Sequence, residues 1–154
     1  MMVDQHQQWM QLALEQAELA ADSDEVPVGA VVVRDGELIA SAHNLTISDS
    51  DPTGHAEIIA LRRAGQQLGN YRLVECDLYV TLEPCAMCVG ALVHARINHL
   101  IFAADDPKAG AIHSAMQLPM AAHFNHKLEW TGGLMAEPAS KMLTDFFRSR
   151  RRSR

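Results

Sequence analysis

The chain has 154 residues, 48% of them hydrophobic, and a formal net charge of −6. That length fits a single domain burying roughly 68–70% of its unfolded surface, and the acidic balance argues against nucleic-acid binding by the surface as a whole. No apolar run reaches the roughly 18 residues of a membrane span, and Met1–Gln16, with Asp4, Glu15 and several glutamines, lacks the basic and apolar regions of a secretory signal, so a cytoplasmic chain is expected.

Trp9, Leu12, Ala13, Ala17 and Ala20 recur at helical spacing and predict an amphipathic helix over about residues 5–21, ended by Asp22-Ser23-Asp24. The nearly unbroken apolar run Val26–Val33 reads as a strand covered on both faces. Pro27 is tolerated near its start because only an early ladder donor is lost. Arg34-Asp35-Gly36-Glu37 holds the Asp-Gly pair of a tight hairpin, and Leu38–Ala42 returns as a second strand. Asn44–Gly54 is a polar loop, too punctuated by Ser48-Asp49-Ser50-Asp51-Pro52 to continue any element. A helix follows over about His55–Leu68, with Gly69 as its stop. Asp77–Leu82 reads as a strand, Cys85–Ala95 as a helix and Asn98–Ala103 as a strand, which implies a right-handed parallel crossover. Residues 104–126 carry no clear pattern, Leu128–Thr131 reads as a short edge strand, and Leu134–Arg150 as a closing helix. The whole predicts an α/β fold, a mixed central sheet with helices on both faces, in one domain over residues 1–154.

Three cysteines, Cys76, Cys85 and Cys88, cannot build a disulfide framework. Cys76 stands alone and reads as a small buried hydrophobe. The chemistry lies in two short motifs, His55-Ala56-Glu57 and Pro84-Cys85-Ala86-Met87-Cys88, each opening a predicted helix. Cys85 and Cys88, three residues apart, share a helix face and can grip one ion. Their place in a first turn favours thiolate over thiol, through backbone N–H groups and the positive end of the helix dipole. At a helix start, His55 and Glu57 both reach a point just beyond the end. If the two starts meet at one edge of the sheet, His55, Cys85 and Cys88 supply three ligands, and a fourth position left open for water is the arrangement of catalytic zinc. Glu57 is then placed for proton transfer. A redox Cys pair would give His55 and Glu57 no role. A structural zinc would need a fourth Cys or His, for which His94 and His113 lack obvious spacing.

Beyond the paired motifs, the signature of zinc base deaminases, the chain resembles the bacterial tRNA-specific adenosine deaminase family over nearly its whole length. The matching stretches are Glu25-Val26-Pro27-Val28-Gly29-Ala30-Val31, Asn44, Asp51-Pro52-Thr53, Asn70-Tyr71-Arg72-Leu73 and Leu78–Glu83 leading into Pro84. They continue through His94-Ala95-Arg96-Ile97, Asp106–Ala111, Asn125-His126 and Asp145-Phe146-Phe147-Arg148. The resemblance implies a three-layer α/β/α sandwich of cytidine deaminase-like type, one zinc per chain, and a homodimer converting the wobble adenosine of a tRNA anticodon stem-loop to inosine. It implies that Glu57 shuttles protons from water to N1 of adenine and to the departing ammonia, and that Asn44 reads the base. Asp106 would stand beside the target nucleotide, where a carboxylate accepting from a ribose 2′-OH favours RNA over DNA. Arg148, Arg150 and Arg151 would meet phosphates of the anticodon stem. They belong to a basic tail over about residues 148–154, which with Arg152 and Arg154 holds five of the 13 basic residues; its alternative is a solvated terminus. Two departures stand out. Gly54 replaces the family's usual alanine before His55, and residues 113–124 do not match the family pattern and receive no role. Rival functions are a deaminase of a free base or nucleoside, of guanine or cytosine type, and a catalytically silent RNA-binding subunit, which would have no need of Glu57.

Overall fold

The computed structural model describes residues 3–121 and 124–152. Helix α1 spans Val3–Asp22, followed by the hairpin β1 (Gly29–Arg34) and β2 (Glu37–His43). Helix α2 (Ala56–Leu68), strand β3 (Cys76–Leu82), helix α3 (Ala86–His94) and strand β4 (His99–Ala104) follow, then β5 (Glu129–Thr131) and α4 (Ala136–Arg152). The strands form one sheet in the order β2-β1-β3-β4-β5. β1 runs antiparallel to both β2 and β3, whereas β3–β4 and β4–β5 are parallel, so the sheet is mixed as the patterning predicts.

The period-2 alternation of strands divides the core in two. Val31 and Val33 of β1, Tyr79 of β3, and Ile101 and Ala103 of β4 face Met10, Ala13 and Leu14 of α1 and Ala139 of α4. Their neighbours Ala30, Val32, Leu78, Val80, Leu100 and Phe102 face the other way, onto Ala56, Ile59, Ala60 and Ala64 of α2 and Val89, Leu92 and Val93 of α3. Both faces of the central strands are therefore apolar, which is why β1 reads as an unbroken run. Gly29 marks where α1 crosses β1. A Cβ there would stand 2.0 Å from the Ala13 carbonyl oxygen, so only glycine permits the approach.

The hairpin turn has positive φ at both Asp35 (52°) and Gly36 (74°), the type I′ signature that an Asp-Gly pair favours. β1 begins at Gly29 rather than Val26, because Val28 N–H donates to Val26 O (2.8 Å) in a local turn that leaves the ladder. Residues 105–117 form a succession of turns, and Leu118–Met120 a short 3-10 helix. No helix among the described residues is long and apolar enough to cross a membrane.

Candidate active site

Both metal-motif helices begin one residue later than the patterning predicts. His55 and Cys85 are the N-caps of α2 and α3, with extended backbones (φ −75°, ψ 149° and φ −78°, ψ 176°), and neither side chain caps its own helix. Each side chain is thereby free to project past the helix end. The Asn44 oxygen caps α2 instead, accepting from Ala56 N–H at 2.8 Å. Gly54 sits in close quarters: a Cβ would lie 3.1 Å from Asp51 O and 3.2 Å from Thr46 N.

The ligand atoms of His55, Cys85 and Cys88 lie within 4.8 Å of one another. His55 Nδ1 is 3.6 Å from Cys85 Sγ and 3.6 Å from Cys88 Sγ. Tetrahedral zinc, with nitrogen at about 2.0–2.1 Å and sulfur at about 2.3 Å, separates those atoms by about 3.6 Å. The residues fit the ion. The Cys88 thiol and the His55 ring hold the Cys85 thiol down at about 4, while Cys85 and burial push Cys88 up. A cation seated there would favour thiolate at both cysteines.

Glu57, 4% exposed, lies in the first turn of α2 beside the trio. Burial pushes its carboxyl up to about 7, and the Cys85 charge adds to the rise. Asn44, Thr46, His55, Glu57, Leu82, Glu83, Cys85, Asp106 and Ala109 help line a pocket of about 260 Å³. Asp106 is half-buried there, and one of its carboxylate oxygens accepts from Lys108 N–H (3.1 Å) and Ala109 N–H (3.3 Å), closing a turn. The turn role and a place on the pocket wall therefore coexist.

The tail arginines are not in this pocket. Arg148 pairs with Asp145 on its own helix (4.0 Å). Arg150 pairs with Asp24 and lies 4.8 Å over the Phe146 ring. Arg151 is exposed; the Arg152 side chain and Arg154 fall outside the described residues. Cys76 is buried within the core, as a small hydrophobe would be.

A family model described as MafB19-like deaminase matches residues 4–151. A tRNA-specific adenosine deaminase from Haemophilus influenzae is 50% identical over 143 residues, covering 92% of this chain and 83% of that protein. The chain belongs to the tRNA-specific adenosine deaminase family. A solved structure from work on A-to-I editing by tRNA:A34 deaminases at the wobble position superposes with a TM-score of 0.87 at 43% identity, covering 88% of this chain and 99% of that one. A guanine deaminase from Nitrosomonas europaea superposes with a TM-score of 0.77 at 26% identity, over 91% of this chain and 83% of that one. The fold is the cytidine deaminase-like sandwich expected.

Within this family fold, two buried glutamates had no role in the sequence reading. Glu25 accepts from the N–H groups of Ile47 (3.2 Å) and Ser48 (2.6 Å) and from the hydroxyls of Thr46 and Ser48, pinning the loop that begins at Asn44. Glu83 is 2% exposed; burial opposes its ionisation, but the Ser114 hydroxyl and backbone N–H groups hold its carboxyl down at about 2. The available signal was position: each is an acid beside an apolar run, next to or one residue from a proline.

Proposed function

We propose that this chain hydrolyses the exocyclic amine of the wobble adenosine of a tRNA anticodon, leaving inosine and releasing ammonia. The observation that carries the reading is the meeting of His55, Cys85, Cys88 and buried Glu57 in one pocket, in a chain half identical to a tRNA-specific adenosine deaminase. Zinc held by His55, Cys85 and Cys88 would supply electrophilic activation of the attacking water. Glu57 takes the proton that water gives up as its oxygen bonds to C6, and delivers it to N1 of the base. It then takes the remaining hydroxyl proton from that oxygen and passes it to the amine as the C6–N bond breaks and C6=O forms. A carboxyl that burial raises toward neutrality suits both directions of that transfer. Asn44 spends its oxygen on the α2 cap, which leaves its amide N–H groups to donate to the base. Asp106, with one oxygen closing its turn, has the other for a ribose 2′-OH, and Arg151 with its neighbours meets phosphates.

The enzyme works in the cytoplasm as a homodimer. An apolar groove of about 700 Å³ between α2 and α3, lined by Ile58, Leu61, Leu73, Ala91 and Ala95, offers the surface, and Tyr71 beside it is 74% exposed. The likeness to a guanine deaminase favours one other reading, action on a free purine. The basic tail argues for RNA. Incubating the purified protein with an anticodon stem-loop bearing a wobble adenosine, and separately with free adenosine, cytidine and guanine, decides between them. Inosine in the stem-loop is expected; ammonia from guanine alone would overturn the reading.

A further inference from the structure

The turns after β4 are held from beneath by one side chain. Glu83, just past the end of β3, accepts from Asp106 N–H (3.0 Å), Ile112 N–H (3.1 Å), His113 N–H (2.9 Å), Ser114 N–H (3.0 Å) and the Ser114 hydroxyl. Converging backbone N–H groups make a concavity that suits an anion, and here the anion belongs to the chain itself. Gly110 lets the loop close over it, since a Cβ there would stand 2.3 Å from the Glu83 carboxyl carbon. Next along the chain, Pro84 O accepts from Ala111 N–H at 2.8 Å. Glu83 is two residues before Cys85, so the strand end that delivers a metal ligand also receives the loop carrying Asp106. Asp105 and His113 stand near Glu83, with ligand atoms of the three within 4.8 Å. The Glu83 oxygens are already taken by these donors, and His113 Nε2 by Asp105 at 2.8 Å, so the trio is a latch rather than an ion site.

We propose that Glu83 is a positioning residue for substrate binding. By gathering the N–H groups of Asp106, Ile112, His113 and Ser114, it sets the distance between the Asp106 wall of the pocket and the His55–Cys85–Cys88 wall. This rests on the reading of the pocket as the binding site for a wobble adenosine. Glu83→Gln keeps the shape but turns an amide N–H₂ against backbone donors.

The test compares Glu83→Gln, Asp106→Ala and the double variant, each loaded with zinc, for metal content, kcat and KM on the stem-loop, and hydrogen exchange at the four amides. Glu83→Gln should keep its zinc, expose those amides to exchange, and raise KM on the order of tenfold, the scale of one lost hydrogen bond to a charged group, with a much smaller change in kcat. The double variant should be no worse than the worse single one, because both changes remove the same contact. Should Glu83→Gln fail to fold, Ser114→Ala removes only the hydroxyl and should shift KM in the same direction by less. Unchanged KM with protected amides, losses that multiply in the double variant, or loss of zinc would each overturn the proposal. If wild type makes no inosine, the functional reading fails, and the exchange rates alone decide whether Glu83 holds the loop.

Discussion

At Glu57, burial raises the carboxyl and a neighbouring cation would lower it, so the group is held where it can both take and give a proton. On the proposed mechanism, Glu57→Gln keeps the shape and removes the proton shuttle. It should retain zinc by elemental analysis while losing at least about 10²–10⁴-fold in rate, the usual contribution of a general acid–base group. Activity within tenfold of wild type would remove Glu57 from the mechanism. Glu25 is a different case. Burial alone would raise its pKa, but hydrogen bonds from Ser48, Ile47 and Thr46 prevail and lower it below 4.5. A folded-state pKa below the unfolded one contributes stability above the unfolded value, and that stability is lost as pH falls through the folded value. Denaturant unfolding at stepped pH should therefore show wild type losing stability faster below about pH 4.5 than Glu25→Gln, which starts lower and falls less. Parallel curves would mean that the carboxylate charge contributes nothing to the loop.

At the scale of elements, α4 lies with α1 on the face of the sheet opposite α2 and α3. Its last turns carry the basic tail, but Arg148 and Arg150 already have acidic partners in Asp145 and Asp24. Exposed pairs of this kind are weak, so phosphate can displace the acid, yet each exchange returns less than a free arginine would. Arg151→Ala should flatten the slope of log tRNA affinity against log salt by about 0.7, and Arg150→Ala by less. A deletion of residues 148–154 that left affinity and slope unchanged would make the tail a solvated terminus. The elements themselves were readable from periodicity, and the Asp-Gly turn from its chemistry, because local pattern decides both. The helix starts were displaced by one residue because His55 and Cys85 are caps whose own side chains do not cap, and local pattern cannot show that Asn44 does so from another element. The turns over 105–117 were unreadable for a related reason. They are organised by Glu83, more than twenty residues earlier, rather than by any period of their own.

Across the whole molecule, the α2–α3 groove sets partly exposed apolar side chains of two helices, Ile58, Leu61 and Ala91, side by side. Leu61→Glu places a charge in it. Light scattering should show a monomer for that variant and a dimer for wild type, with the helical signal retained; a dimer in both would move the interface elsewhere. Sheet, helix and pocket are joined at Asn44, just past the end of β2. Its oxygen is committed to the first N–H of α2, so the side-chain amide cannot turn over without uncapping the helix that carries His55 and Glu57. In the proposed function the pocket thereby has a fixed polarity: it would offer a donor, and would refuse a base edge presenting a donor of its own. Asn44→Asp keeps the cap and reverses that sign, so it should bind zinc as wild type does yet lose tRNA deamination. Asn44→Ala should lose activity and also lower the melting temperature, which separates the filter from the scaffold that holds it in place.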